Sequence, residues 1–114
     1  MLSYLRTGPE SGTWEVAWVS GYCMLTRRTA FESVGGFDED FFLYFEDVDL
    51  CARMRGEGWV VALVRDSVAR HIESTSTRAV GKERLYRHGM CVYFSKHKGR
   101  QSRFWSSVLQ RMPL

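Results

Sequence analysis

Three acidic residues follow directly on an aromatic run near the middle of this 114-residue chain. The run FFLYF at 41–45 precedes Glu46, Asp47 and, after one valine, Asp49. Aromatic neighbours exclude water from a carboxylate, which raises its pKa and makes it a better general base. Carboxylates spaced as D-x-D can also bind a divalent cation through their oxygens. Acids at a helix N-terminus are stabilised by its free N–H groups, by about 0.3–1 kcal/mol each. The residue types alone therefore leave three interpretations open: general base, metal ligand and helix cap.

Two helices are predicted around these acids. One runs from about Asp47 to Glu57, because the apolar residues at 50, 51 and 54 share a face and Gly58 provides a C-terminal stop. A shorter helix over 27–36 precedes it. Thr29 is its expected N-cap, with Glu32 at the capping-box spacing, and the glycines at 35 and 36 are expected to end it.

The remaining elements indicate a small α/β domain. Apolar residues alternate over 14–18, which predicts a strand, and WVVALV at 59–64 predicts a second one. Helical spacing continues over 82–99, and an apolar stripe over 103–112 predicts a short terminal helix. Few strands alternate with three to four helices, so the fold is expected to be part of an α/β domain.

The composition is that of a globular protein with an uneven charge distribution. The net charge is +3, acids are concentrated at 32–49, and the stretch 78–111 is mostly basic. Such a basic stretch faces phosphate or a membrane in some proteins and water in others. The three cysteines form no C-x-x-C pair, which favours reduced thiols in the cytosol over a zinc site or a disulfide framework. No signal peptide or membrane-spanning run is expected.

Residues 18–71 carry an ordered series of short motifs. Ser-Gly at 20–21 lies in an apolar stretch and is followed by arginine and a short helix. GGFDE at 35–39, an aromatic pair, EDVDL at 46–50, an arginine and Gly-Trp come next, and His71 follows the second strand. In this order the motifs resemble the second half of the family 2 glycosyltransferases, near the rhamnosyltransferase-like branch. SKHKG at 95–99 extends the likeness more loosely.

The resemblance implies a GT-A fold and inverting transfer of a sugar from a nucleotide-sugar donor to a saccharide or glycolipid acceptor. By this likeness Asp47 is the candidate base, and Glu46 positions the acceptor or shares the task. Asp49 would then cap the helix, because the metal-binding D-x-D of such enzymes lies in their first half. The acceptor-binding residues implied are Gly21, Gly36, Phe37, Asp38 and Tyr44.

The resemblance also implies a metal ion and a cellular setting. His71 is the candidate ligand of a divalent ion, magnesium or manganese, shared with a first half that binds the nucleotide. The chain is accordingly interpreted as the C-terminal, acceptor-side portion of a catalytic domain, a single domain over 1–114 that is inactive alone. It is expected in the cytoplasm at the inner face of a membrane, with no nucleic-acid partner. Its amphipathic helix at 101–114 is expected either to pack on the domain or to contact that membrane, and the chain is expected to self-associate.

Two alternatives remain at this point. One is a non-catalytic binding module derived from a glycosyltransferase, which uses its basic helices to meet an anionic partner. The other is a metal-dependent phosphoesterase built on Asp47, Asp49 and His71. Trp14, Trp18, Phe42 and Tyr44 are expected in the core rather than as platforms for a sugar ring.

Overall fold

The computed structural model describes residues 11–70 and 81–97, which form a mixed arrangement of strands and helices. The elements, in chain order, are β1 (Thr13–Glu15), α1 (Arg28–Ser33), α2 (Glu46–Gly56), β2 (Ala62–Val64) and α3 (Lys82–His97). The prediction of a small α/β arrangement with few strands is confirmed. His71 and the predicted terminal helix at 101–114 lie outside the described residues.

The strands form an antiparallel ribbon in which Trp14 lies opposite Leu63. Both predicted strands exist, but each is shorter than the sequence pattern suggested. The N–H of Val16 still donates to the carbonyl of Val61 (2.9 Å), and regular pairing stops there. Trp18 is 42% exposed, so the prediction that it lies in the core is wrong. The alternation of apolar residues continues past the end of the strand pairing.

The start of α1 differs from the prediction. The helix begins at Arg28, and no described side chain caps it at Arg27, so Thr29 is not its N-cap. Glu32 does not reach back to the helix start as a capping box requires. It pairs instead with Arg28 one turn away, at 2.7 Å between Nε and Oε1. The exposed Arg28 guanidinium therefore takes the carboxylate that the capping box would have used.

The ends of α1 and α2 confirm the predicted glycine stops. Gly35 and Gly36 have φ angles of 77° and 75°, and Gly58 has 85°, all in the left-handed region that glycine tolerates best. After α1, the N–H of Gly36 bonds to the carbonyl five residues earlier (2.9 Å). After α2, the N–H of Trp59 bonds in the same way to Met54 (3.0 Å). Both bonds satisfy helix carbonyls that would otherwise lack a partner.

The core lies between α1 and α2. Its buried centre consists of Ala30, Leu50 and Met54. Half-buried apolar residues pack around it, namely Met24, Phe31, Val34 and Trp59. The predicted apolar face of α2 is therefore confirmed, and burial of each large side chain contributes about 1.5–3 kcal/mol.

The described residues also include an exposed aromatic ring and three cysteine thiols. Phe42 is 78% exposed, so its predicted place in the core is also wrong. Cys51 and Cys91 are buried thiols and Cys23 is an exposed one, and none of the three is in a disulfide within the described residues. Burial raises the pKa of both buried thiols, which keeps them protonated. Within 11–70 and 81–97, no helix has the length and apolar character needed to cross a membrane.

Candidate active site

Glu46 and Asp47 are the first two residues of α2, and an unusual turn places them there. Tyr44 and Phe45, immediately before the helix, both have φ angles of 69°. The left-handed region is unfavourable for bulky side chains, and such a conformation persists only where surrounding structure enforces it. This left-handed turn, Tyr44–Phe45, therefore sets the direction in which the two acids enter the helix.

Backbone N–H groups hold the carboxylate of Asp47 on both of its oxygens. Oδ2 accepts a hydrogen bond from the N–H of Gly21 (2.9 Å), and Oδ1 accepts one from the N–H of Val48 (2.8 Å). The bond from Gly21 joins the segment after β1 to the start of α2. The structure thus brings together Gly21 and Asp47, which the sequence had placed in the same site.

Glu46 occupies a different environment from its neighbour. Its side chain is half-buried, and no described group hydrogen-bonds to its buried Oε2 atom. Burial raises the pKa of Glu46 above its usual range, and the negative charge of Asp47 adds to this, while nearby backbone N–H groups oppose it. The two adjacent carboxylates therefore have different surroundings: Asp47 is held by two N–H groups, and Glu46 is half-buried with one oxygen unpaired among the described residues.

Asp49 does not cap α2, contrary to the sequence prediction. Its side chain is fully buried, and its own N–H makes a regular helical bond to Phe45 (2.8 Å). Oδ2 accepts from Nε of Arg53 (2.8 Å), and Oδ1 lies 2.6 Å from Nε2 of His97. Arg53 also donates to the carbonyl of Val34 (2.7 Å). The buried carboxylate thus joins α2 to α3 directly and to the end of α1 through Arg53.

Helix α3 packs against the left-handed turn. A Cβ atom placed on Gly89 would lie 2.4 Å from the carbonyl oxygen of Tyr44, so only glycine permits this approach. The ring of Tyr86 meets those of Tyr44 and Phe45 edge to face, at 5.9 and 5.1 Å between centroids. Tyr93 also contacts Phe45 at 5.8 Å. Sequence reasoning missed this role of α3, although a glycine inside a helix was a signal for a close backbone approach.

The remaining predicted acceptor residues make their contacts with α1 and α3. Gly36 is buried, and its Cβ position lies 3.1 Å from the ring of Phe31. Phe37 is half exposed and stacks edge to face on the same ring at 5.5 Å. Asp38 forms an ion pair with Lys96, which lowers the pKa of Asp38 and raises that of Lys96. Their roles in acceptor binding stay predictions.

A metal site is not assembled within 11–70 and 81–97, where no three His, Cys, Asp or Glu side chains are placed to hold an ion. The candidate ligand His71 lies outside the described residues. An open cavity of about 370 Å³ lies at the other end of α2 from the acids. Its lining residues are Ser33, Val34, Arg53, Gly56 and Glu57.

Comparison with known proteins gives similarities to sugar-transferring enzymes. The chain is 39% identical over 98 residues to an N-acetylglucosaminyl-diphospho-decaprenol L-rhamnosyltransferase of Mycobacterium tuberculosis, covering 83% of this chain and 31% of that protein. It is 49% identical over 39 residues to the rhamnosyltransferase WbbL of Escherichia coli, covering 34% and 15%. It is 40% identical over 68 residues to the O-antigen biosynthesis protein RfbC of Myxococcus xanthus, covering 58% and 5%. No solved structure matches.

The matched region includes the start of α2 and the residues that contact Asp47. The chain spans about a third of the length of the mycobacterial relative, at 31%. The family model described as "Glycosyltransferase like family 2" matches residues 7–90, which contain Gly21, the left-handed turn and both acids at the start of α2. Since this match covers well over half of the sequence, the chain belongs to the glycosyltransferase-like family 2.

Proposed function

We propose that the chain is the acceptor-side portion of a GT-A-type catalytic domain. That domain transfers a sugar, with inversion, from a nucleotide-sugar donor to a saccharide or glycolipid acceptor. The observation that carries the proposal is the pair of acids at the start of α2, with Asp47 fixed by the N–H groups of Gly21 and Val48. The name of the mycobacterial relative combines rhamnosyl transfer with a diphospho-decaprenol compound, which favours a lipid-linked acceptor.

Asp47 is the general base in this mechanism. An acceptor hydroxyl is a weak nucleophile, so its proton passes to the Asp47 carboxylate as its oxygen bonds to the anomeric carbon. The bond from that carbon to the nucleotide diphosphate breaks, and the electron pair leaves with the diphosphate. Attack opposite the leaving group inverts the anomeric carbon. The N–H groups of Gly21 and Val48 hold both oxygens of this carboxylate and so fix its orientation.

Glu46 either positions the acceptor or takes part with Asp47 in the proton transfer. Its side chain is half-buried, and the buried Oε2 atom has no hydrogen-bond partner among the described residues. Burial also raises its pKa, so the side chain can carry a proton nearer to neutral pH than an exposed glutamate can.

The divalent metal ion remains a further part of this proposal. Asp47 is already engaged by N–H groups and Asp49 by Arg53 and His97, so these two acids do not form an ion site by themselves. The ion, magnesium or manganese, would be bound by His71 and by carboxylates of the nucleotide-binding portion, and would stabilise the leaving diphosphate. His71→Ala should then weaken the dependence of transfer on manganese and leave the unfolding temperature unchanged.

The setting is proposed on the same basis. A lipid-linked acceptor places the enzyme in the cytoplasm at the inner face of a membrane, where the basic helix predicted at 101–114 could contact anionic lipid. Self-association and a catalytic portion upstream of this chain are parts of the same proposal. The non-catalytic module is the alternative, and an assay of sugar transfer by the unmutated protein distinguishes the two.

The test uses the complete polypeptide that contains this chain, with transfer to a lipid-linked saccharide as the assay. Asp47→Asn keeps the size of the side chain and removes the base, so kcat should fall by about 10²–10⁴-fold with the nucleotide-sugar KM unchanged. Glu46→Gln should act mainly by raising the acceptor KM. Asp66→Asn is the matched control, because Asp66 also accepts a hydrogen bond from a glycine N–H, that of Gly12 (3.0 Å), but lies at the strand ribbon.

Three results would count against the proposal. An Asp47→Asn enzyme within about threefold of the wild-type kcat, together with an inactive Glu46→Gln enzyme, would exchange the two roles. If both variants transfer sugar at the wild-type rate, neither acid takes part in the reaction. An absence of any transfer by the unmutated protein with a panel of nucleotide-sugars and lipid-linked acceptors would favour the binding module.

A further inference from the structure

We propose that Gly89 is a positioning residue for the transfer reaction. Because Gly89 has no side chain, α3 packs directly against the carbonyl of Tyr44. This contact stabilises the left-handed turn that orients Glu46 and Asp47. The inference rests on the proposed function, because it concerns the orientation of the acids that are assigned to acceptor chemistry. It adds a residue of α3 that does not itself contact the acceptor.

The distances leave no room for any other residue at position 89. A Cβ atom there would lie 2.4 Å from the Tyr44 oxygen, 3.2 Å from the Tyr44 carbonyl carbon and 3.2 Å from Cδ2 of Phe45. The nearest of these atoms belongs to the backbone, so it cannot rotate away as the end of a side chain can. Either α3 or the turn would have to move.

The turn needs an external support of this kind. Two consecutive aromatic residues with φ of 69° are held in a conformation that they would not adopt by themselves. The aromatic partners of the turn also come from α3, where Tyr86 contacts both rings and Tyr93 contacts Phe45. Helix α3 therefore contacts the turn on its backbone and on both side chains.

Movement of the turn is transmitted to the acids through the backbone. The carbonyl of Phe45 accepts the hydrogen bond from the N–H of Asp49 (2.8 Å), so the turn supplies a bond of the first turn of α2. Glu46 and Asp47 lie between these two residues. A rotation of the turn would therefore change the direction of both carboxylates and would pull Asp47 away from the N–H of Gly21.

A role for Gly89 in helix stability alone does not explain its position. Glycine is less favourable than alanine inside a helix, and Gly56 in α2 has nothing within 4 Å of its Cβ position. Gly89 is buried and in contact with the one stretch of non-glycine residues that has positive φ among the described residues. The missing side chain thus coincides with the turn that orients the acids.

The experiment compares Gly89→Ala with the matched control Gly56→Ala in the complete polypeptide. Activity is measured per amount of folded, monodisperse protein, with both substrates varied. We expect Gly89→Ala to lower kcat at least about tenfold and to raise the acceptor KM, with the nucleotide-sugar KM unchanged. Gly56→Ala should behave as wild type. A loss of folded protein alone would not change the acceptor KM, so that parameter separates positioning from stability.

The kcat and the acceptor KM of Gly89→Ala decide the inference. Gly89→Ala with wild-type kcat and acceptor KM would overturn the inference, as would a lower kcat with an unchanged acceptor KM. If Gly89→Ala does not fold, Tyr86→Leu decides, since it removes the ring contacts to the turn without overlap: a raised acceptor KM supports the inference and a wild-type value overturns it. If Asp47→Asn lowers kcat and Gly89→Ala leaves kcat and the acceptor KM unchanged, only this inference is wrong. If Asp47→Asn itself has the wild-type kcat, the proposed function is wrong.

Discussion

At the scale of single residues, the site depends on the contrast between two adjacent carboxylates. Asp47 accepts hydrogen bonds from backbone N–H groups on both of its oxygens. Glu46 is half-buried with an oxygen that no described group satisfies, which opposes its charge. Two chemically similar side chains are thereby suited to different tasks, and the difference comes from backbone donors and burial rather than from residue type.

The raised pKa of Glu46 predicts a stability that depends on pH. An acid whose pKa is higher in the folded state costs stability when ionised, and the cost disappears below the unfolded pKa of about 4.3. Glu46→Gln should therefore raise the unfolding temperature by a few degrees at pH 7–8, and the gain should vanish as the pH falls below about 4. Glu15→Gln, at an exposed position of β1, is the control and should show no such trend in calorimetry. A gain that persists at low pH would exclude the burial explanation.

The sequence singled out the three acids as a group but could not separate their environments. Glu46, Asp47 and Asp49 are recognisable from composition and local spacing. What distinguishes them comes from distant partners: Gly21 lies 26 positions from Asp47, and His97 lies 48 positions from Asp49. No local pattern reports such contacts, so the capping role expected for Asp49 was wrong.

At the scale of elements, the buried Asp49 links the helices. It pairs with Arg53 on its own helix, with His97 on α3 and, through Arg53, with the carbonyl of Val34 after α1. A buried charge is costly without partners, so this cluster is stable only when it is complete. The same end of α3 carries Lys96, which pairs with Asp40 at 2.6 Å and anchors the loop before the aromatic run.

Removal of Asp49 should consequently be severe. Asp49→Ala leaves Arg53 and His97 without their shared acceptor, and loss of one partner of a buried ion pair typically costs about 3–5 kcal/mol. Glu32→Ala is the matched control, because it breaks the exposed pair with Arg28, which is worth about 0–1 kcal/mol. Urea unfolding of both variants measures the difference. Equal effects would show that the cluster contributes no more than a surface pair.

Helices were predicted better than strands, and the reason is local. Glycine at 35, 36 and 58 adopts the left-handed conformation that ends a helix, and this signal is contained within a few residues. The extent of a strand depends on its partner, and β1 finds β2 far along the chain. The apolar alternation over 14–18 therefore continues past the pairing, and Trp18 ends on the surface.

At the scale of the whole molecule, much apolar surface stays uncovered on the described residues. Leu25, Val68 and Phe42 are 102%, 91% and 78% exposed, and Val60 is 69% exposed. A ribbon of two strands also leaves hydrogen-bonding edges open within this part of the chain. Both features fit the proposal that these residues pack against a further portion of a catalytic domain.

The 114-residue chain expressed by itself should therefore self-associate and transfer no sugar. Association covers the exposed apolar side chains, and transfer requires the proposed nucleotide-binding portion. Light scattering over a range of concentrations tests the first part, and release of nucleotide diphosphate from a panel of nucleotide-sugars tests the second. A stable monomer that turns over a nucleotide-sugar would contradict both parts.

The strand ribbon has a consequence for the order in which the chain acquires its structure. Gly12 and Asp66 are 54 positions apart, yet they are hydrogen-bonded, so the ribbon closes a loop that contains α1 and α2. Closing a loop of this length costs entropy that local helix contacts do not incur. The contacts between α1 and α2 draw the ends of that loop together, and the strands then pair at a lower cost. We therefore expect the ribbon to form after the contacts between α1 and α2, so that it is no template for the helix that carries the acids.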